Sequence, residues 1–467
     1  MKKTIIVYGK REKSLQKKAI SILSEIVLEY TYEMPVCLQY EKGADYTDKR
    51  CIYVGTRDSL QYIKDADIDI PEHSEGYAIK VSGGDVIIAG YDDAGALYGC
   101  IDFYNKYILS LEYPHDEMNY RHNPFCTFLP DYSTASYPSI KSRGIWTWGH
   151  VIYDYRAFID NMVRLKMNTL ILWNDYAPLN AADVVEYAHA CGIKLIFGYS
   201  WLWENGCDKV DISNPRASID EIISKYEKEY LPLGADGLYF QSFTEIDREY
   251  LGGKLIAEAV TDFVNEASAA LLDRYPDLEL QFGLHARSVK NRLEYIERVD
   301  PRVRIVWEDC GAFPLSYVRP DDEEDIEKTL SFLRRISTLR SDEDRFGVVS
   351  KGMVKLDWPT FEHIEGPVEI GASTRDFRRA KILGKSRIWR YIQSLWLAYA
   401  DQAHATVRAM REARGEDFVC TALVEDGMFE CNIMYPVALY SEMMWDACGN
   451  TQKMIKDVSQ RSYVDFV

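Results

Sequence analysis

The chain has 467 residues, 47% of them hydrophobic, with 73 acidic against 55 basic side chains and a formal charge of −18. That balance sets net repulsion against nucleic acid and anionic membrane, and no Lys/Arg run with interleaved aromatics offsets it. The hydrophobic share and a mean hydropathy of −0.27 exclude a disordered chain, and at ~100 to 200 residues per domain the length predicts two or three domains, or fewer if one is a large barrel.

The amino terminus reads MKKTIIVYGKREK, whose apolar run is Ile5, Ile6, Val7 and Tyr8. That is too short for a signal-peptide core, and no segment approaches the ~20 apolar residues of a spanning helix. The ten cysteines are scattered, several of them inside apolar strand or helix patterns. They read as reduced core residues of a cytoplasmic protein.

TIIVYG (4–9) predicts a strand, SLQKKAISILSEIVLEY (14–30) an amphipathic helix and CIYVGT (51–56) a second strand. YAIKVSGGDVIIAG (77–90) is two alternating runs around Ser82-Gly83-Gly84-Asp85, a hairpin signal. DDAGALYGCIDFYNKYI (92–108) places Leu97, Cys100, Ile101 and Tyr104 on one helical face. These elements make a small α+β domain over residues 1–125. All ten tryptophans lie at or beyond Trp146, and the Pro/Ser-rich stretch before that step reads as a linker, 126–141.

From residue 142 the rhythm is strand, then helix, repeated. Predicted strands are 142–148, 168–174, 193–201, 236–243, 278–286, 303–308, 347–356 and 418–426. Eight strands, each followed by a helix, predict an α/β fold of the (β/α)8 TIM barrel type over 142–448, leaving 449–467 as a C-terminal tail or the start of a further helical region. An open doubly wound sheet would place a Gly-rich phosphate turn after its first strand, and none is present.

In such a barrel the C-terminal ends of the strands converge on one mouth. Read in order, those ends give Trp148, then Asn174 and Asp175, then Trp203, then Gln241 and Glu245, then His285, then Glu308 and Asp309, then Asp357 and Trp358, then Glu425 and Asp426. Sugars present C–H faces that stack on indoles and hydroxyl rims that need carboxylate and amide acceptors. Cleaving a glycosidic bond needs one carboxyl that donates a proton to the leaving oxygen and a second that acts as nucleophile or base. Glu245, where the strand in ADGLYFQSFTEID breaks into polar residues, is the candidate acid, and Glu308 the candidate second carboxylate. Asp309 is the alternative to Glu308, one of the two being a structural partner of Arg287 or Arg302. The substrate-binding candidates are Trp148, Asn174, Asp175, Trp203, Gln241, His285, Asp309, Asp357 and Trp358. Glu425 and Asp426, before Gly427, read equally well as turn residues. Walker, zincin, Cys-x-x-Cys and Gly-x-Ser-x-Gly motifs are missing, so no metal and no cofactor is expected.

EGYAIKVSGGDVIIAGYDDAGALYGCIDFYNKYI (75–108) resembles the small domain that precedes catalytic barrels in family 20 β-N-acetylhexosaminidases, α-glucuronidases and related glycosidases. SRGIWTWGHVIYDYRAFIDNMVRLKMNTLILWND (142–175) is similar to the start of their barrels, where an Arg-Gly strand leads to a helix and a Lys-x-Asn strand. The resemblance implies a glycosidase acting on terminal sugars, an N-acetylhexosaminide before a uronide. It also implies an adjacent Asp-Glu pair after the fourth strand; here Thr244 precedes Glu245, so the acid matches and the aspartate is missing. The expected function is therefore a cofactor-free glycoside hydrolase with a carbohydrate substrate and no nucleic-acid or membrane partner. The alternatives are an α-glucuronidase-like or other exo-glycosidase, a silent sugar-binding barrel, and a metal-dependent barrel enzyme of another chemistry.

Overall fold

A computed structural model describes residues 2–9, 13–112, 125, 129–202, 212, 214–308, 311–320, 323–340, 345–356, 361, 364 and 366–465. The chain divides into two compact units. One holds Met1–Pro138 with Ala190–Gly192 and Lys456–Ser462, and the other holds the remainder.

The first unit is built on a six-stranded sheet of β1 (Lys3–Tyr8), β2 (Val36–Gln39), β3 (Lys49–Thr56), β4 (Tyr77–Ser82), β5 (Asp85–Gly90) and β6 (Tyr132–Ser136), in the order β2-β1-β3-β5-β4-β6. Strands β1, β2, β3 and β5 run parallel, and β4 is antiparallel to both β5 and β6. The β4–β5 hairpin turns through Gly83 and Gly84 at φ of 60° and 91°, a conformation that L side chains resist and that a two-residue hairpin requires. The helices Ser14–Thr31 and Asp93–Asp102 pack on one another, burying Leu23, Val27, Leu97 and Cys100. Two strands escape the sequence reading, β2 and β6. The second lies inside 126–141, the segment read as a linker, so that stretch carries an ordered edge strand.

The second unit is a closed barrel of eight parallel strands: β7 (Ser142–Trp148), β8 (Thr169–Trp173), β9 (Lys194–Ser200), β10 (Gly237–Gln241), then, after the short antiparallel pair β11 (Tyr250–Leu251) and β12 (Lys254–Leu255), β13 (Glu279–His285), β14 (Val303–Glu308), β15 (Phe346–Ser350) and β16 (Phe418–Leu423). The eight barrel strands fall within a few residues of the eight predicted. The largest correction is β15, which stops at Ser350 instead of running to 356. Gly352 there lies against Pro314 and Phe313, and the chain turns away from the barrel wall. Between the last two strands the described residues form two helices, Arg375–Ala398 and Ala400–Arg414.

The Arg-Gly and Lys-x-Asn motifs belong to the N-terminal end of the barrel. Arg143 is buried and donates to the Lys166 carbonyl at 2.8 and 3.1 Å and to the Ile140 carbonyl at 2.6 Å. Lys166 in turn pairs with Glu442 at 3.3 Å. Gly144 passes so close to β8 that a Cβ would stand 1.6 Å from the Thr169 carbonyl oxygen. These residues lock the first two barrel strands together, a structural role.

Candidate active site

Side chains alternate along each strand, and the pattern of contacts identifies the lumen face. Cys420 and Ser350 both meet the hydroxyl of Tyr440 on the outer helix Tyr435–Trp445, so their neighbours in sequence point inward. On the inner face Trp146, Trp173 and Tyr239 form an aromatic cluster with ring centroids 6.0 to 6.3 Å apart. At the C-terminal end of the lumen, next to this cluster, stands Glu308.

Glu308 is 1% exposed and all of its acceptor capacity is used. Its Oε1 accepts from the Tyr239 hydroxyl and, at 2.7 Å, from the Gln241 amide. Its Oε2 lies 3.3 Å from His285 Nε2 and 3.2 Å from Lys351 Nζ. Burial alone would raise its pKa, but His285 and Lys351 outweigh burial and hold the carboxyl well below the usual range, so Glu308 is ionised. Burial and the Glu308 charge together push the Tyr239 phenol far up, keeping it a neutral donor. Gly283 makes the assembly possible: a Cβ there would stand 2.1 Å from the Tyr239 hydroxyl and 2.6 Å from Glu308 Oε1.

Glu245 reaches the same imidazole from the other side, its Oε1 4.0 Å from His285 Nδ1. It stands beyond β10 on a loop that Ser288 ties down by donating to the Thr244 carbonyl at 2.7 Å. Its side chain is 30% exposed, against 1% for Glu308. One imidazole thus separates a solvent-facing carboxyl from a buried, ionised one. That arrangement bounds their separation at roughly the upper end of the ~5 to ~9.5 Å spanned by paired glycosidase carboxylates. Beside Glu245, the hydroxyls of Ser242 and Thr244 are buried without a hydrogen-bond partner among the described residues.

Of the residues expected from sequence, Gln241, Glu245, His285 and Glu308 are brought together. Trp148 is buried at the end of β7, edge-on to Trp146 and 4.6 Å from the ring of Phe361. Asn174 is buried against the same strand end, where its Oδ1 accepts from Gly149 N at 3.1 Å. Asp175 is exposed, and its backbone carbonyl accepts from Lys225 Nζ. Trp203, Asp309, Asp357 and Trp358 lie outside the described residues. Tyr239 and Lys351 are the two members that the strand-end reading does not select; Tyr239 shares the face of Gln241 two residues on, and that alternation is the signal that finds it.

A second acidic group closes the eighth strand. Lys385 Nζ lies 3.1 Å from Glu425 Oε2 and 2.8 Å from Asp426 Oδ2, and Tyr153 donates to Asp426 Oδ1 at 2.8 Å. Asp426 and Gly427 have φ of 43° and 76°, so the pair is a turn, as one sequence reading holds, but a buried one. Burial pushes Glu425 up to about 7 against the pull of Lys385, whereas Lys385 and Tyr153 overcome burial at Asp426 and hold it below its ordinary value. Glu430, whose Oε1 accepts from Tyr153 N at 2.6 Å, is also raised by burial to about 7. Among the described residues no group of three or more His, Cys, Asp and Glu side chains has the geometry of a metal site.

Residues 20–103 match the family described as the glycosyl hydrolase family 67 N-terminus. No curated protein matches the chain. Among solved structures the chain is similar to a GH138 enzyme targeting pectin rhamnogalacturonan II (TM-score 0.54, 13% identity, 97% of this chain), of which it spans only 65%. It is also similar to a β-N-acetylhexosaminidase from Bacteroides fragilis (0.54, 12%, 98% of this chain and 90% of that one). A third is a GH20 exo-β-N-acetylglucosaminidase from Vibrio harveyi (0.53, 12%, 98% and 73%). At these identities the likeness establishes the fold, a barrel with a preceding α/β domain that glycosidases share.

Proposed function

We propose that the protein is a glycoside hydrolase that removes terminal sugars from oligosaccharides or glycoconjugates, with N-acetylhexosaminides preferred to uronides. The observation that carries the reading is the pair of carboxyls on opposite nitrogens of His285: unequal environments divide acid from base roles between two carboxyl groups. Glu245, open to the mouth, donates its proton to the glycosidic oxygen as the bond to the anomeric carbon breaks. Water then adds to that carbon, so one water is consumed and Glu245 is reprotonated. Glu308 is the ionised member, nucleophile or base in the sequence reading. With four donors on its two oxygens, its stronger contribution is to fix Tyr239, Gln241, His285 and Lys351 and to oppose the positive charge that builds on the sugar. Trp148, Asn174 and Gln241 frame the sugar, and Trp203, Asp309, Asp357 and Trp358 are further candidates for its contacts. The preference for amino sugars rests on the names of two structural neighbours and on the sequence resemblance. The seven described cysteines are free thiols, which supports a cytoplasmic location, and no described helix is long and apolar enough to cross a membrane.

The test is hydrolysis of α- and β-linked aryl and natural glycosides by wild-type protein and Glu245→Gln. General acid catalysis contributes ~10²- to 10⁴-fold, so the variant is expected to lose that much on substrates with poor leaving groups and much less on activated aryl glycosides. Sugar binding without turnover by the wild type would make the barrel a silent binding protein instead.

A further inference from the structure

Residues 375–390, RDFRRAKILGKSRIWR, hold seven arginines and lysines against one aspartate, in a chain whose formal charge is −18. They form the first four turns of the helix Arg375–Ala398, which follows the segment leaving β15. Contacts to residues just beyond strand ends place this half of the helix beside the barrel mouth: Arg378 pairs with Asp154 at 3.1 Å, and Lys385 with Glu425 and Asp426. Arg375, Arg379, Arg387 and Arg390 are exposed and form no salt bridge among the described residues. Arg375, Arg379, Leu383, Arg387 and Tyr391 recur every fourth position, which draws one ridge, a stripe that winds by ~40° per step around the helix surface, with Arg390 at its edge. At ~1.5 Å per residue, the stripe from Arg375 to Arg387 is ~18 Å long. Its first turn borders a cleft of about 610 Å³ lined by Arg375, Asp376, Arg378, Arg379, Ile382 and Cys431, three cations against one carboxylate.

Four cations exposed along one ridge of a strongly acidic protein offer a local site for an anionic partner. An anionic bilayer would meet the net charge of −18 beside the ridge and be repelled. A single polymer strand touches only the stripe. Arginine matches carboxylate and sulfate in a bidentate fork, and the exposed Leu383 and Tyr391 on the same stripe match the C–H faces of pyranose rings. Resting on the reading of the mouth as a sugar site, we propose that the stripe is a subsite for an acidic glycan, so that the substrate is an uncharged terminal sugar carried on a chain of uronate or sulfated residues.

The experiment is calorimetric titration of the full chain at low salt with chondroitin sulfate oligosaccharides, neutral chito-oligosaccharides of equal length and a single-stranded DNA of matching charge. The expected result is at least tenfold tighter binding of the acidic oligosaccharide than of either control. That preference should fall below about twofold in Arg375→Ala/Arg379→Ala and be only partly lost in Arg375→Lys/Arg379→Lys, which keeps the charge but not the fork. Hydrolysis of a small neutral aryl glycoside should be the same in wild type and both variants. Equal binding of acidic and neutral oligosaccharides, a preference that persists in the alanine variant, or DNA binding as tight as the glycan would overturn the proposal. Discrimination of acidic from neutral sugars without any hydrolysis would leave the subsite standing and remove the hydrolase reading. Hydrolysis without discrimination would do the reverse.

Discussion

Glu308 shows what a buried charge demands. It is surrounded by groups chosen for its ionised form, and the same contacts leave Lys351, 4% exposed, dependent on it. Glu308→Gln would strand that ammonium without a counter-charge, which costs about 3 to 5 kcal/mol; urea unfolding should register the loss, and an unchanged midpoint would contradict the ion-pair account. Gly283→Ala attacks the same site sterically. Its methyl group would overlap the Tyr239 hydroxyl and Glu308 Oε1, both fixed by hydrogen bonds, so a penalty of about 1 to 3 kcal/mol is expected together with lost activity. The carboxylates of this cluster were legible in the sequence because strand ends can be counted. Lys351 was harder to place, since the predicted strand ran through it to 356; the observed end of β15 at Ser350, with Ser350 turned outward to Tyr440, is what points it inward to Glu308.

At the scale of elements, apolar alternation made the buried strands legible and left the edges obscure. The barrel strands are covered on both faces and carry runs such as LILW and VRIVW. β2 and β6 are edge strands of the first unit's sheet, and their sequences, VCLQ and YSTAS, carry little of that signal because one side has no neighbouring strand among the described residues and the residues are only partly buried. Polar composition made β6 look like a linker. The helix start at Asp92 was, by contrast, written in the chain: the carboxylate accepts from Gly95 N at 2.7 Å and, through its other oxygen, from Glu75 N at 2.9 Å. Asp92→Ala removes both acceptors, including the one that serves Glu75 at its strained φ of 64°. A loss of about 1 to 2 kcal/mol is expected, most of it recovered by Asp92→Asn. Denaturant midpoints of the two variants decide this, and equal losses would mean that the cap contributes nothing beyond its charge.

For the whole molecule, pH sets buried carboxyls against each other. Glu308 is depressed from its ordinary 4.5, so its contribution is complete above that value and is lost as the pH falls below it. Glu425 and Glu430 are raised from 4.5 to about 7. Between those two values the folded chain keeps protons that the unfolded chain has released, and stability falls as the pH rises through the window. Self-repulsion among the excess carboxylates, −18 in all at neutral pH, acts in the same direction. His404, which burial depresses below 6.5, opposes the fall over part of this window, one group against two, so the melting temperature should peak on the acid side of neutrality and decline toward pH 8. Glu425→Gln/Glu430→Gln removes the two protons at issue while leaving Asp426 to hold Lys385. Whatever it does to the absolute melting temperature, it should flatten the decline between pH 5 and 7 and leave the acid limb in place. A wild-type melting temperature that is level or rising over that window would show that the buried carboxyls at the end of the eighth strand titrate as ordinary ones, and that their enclosure admits water.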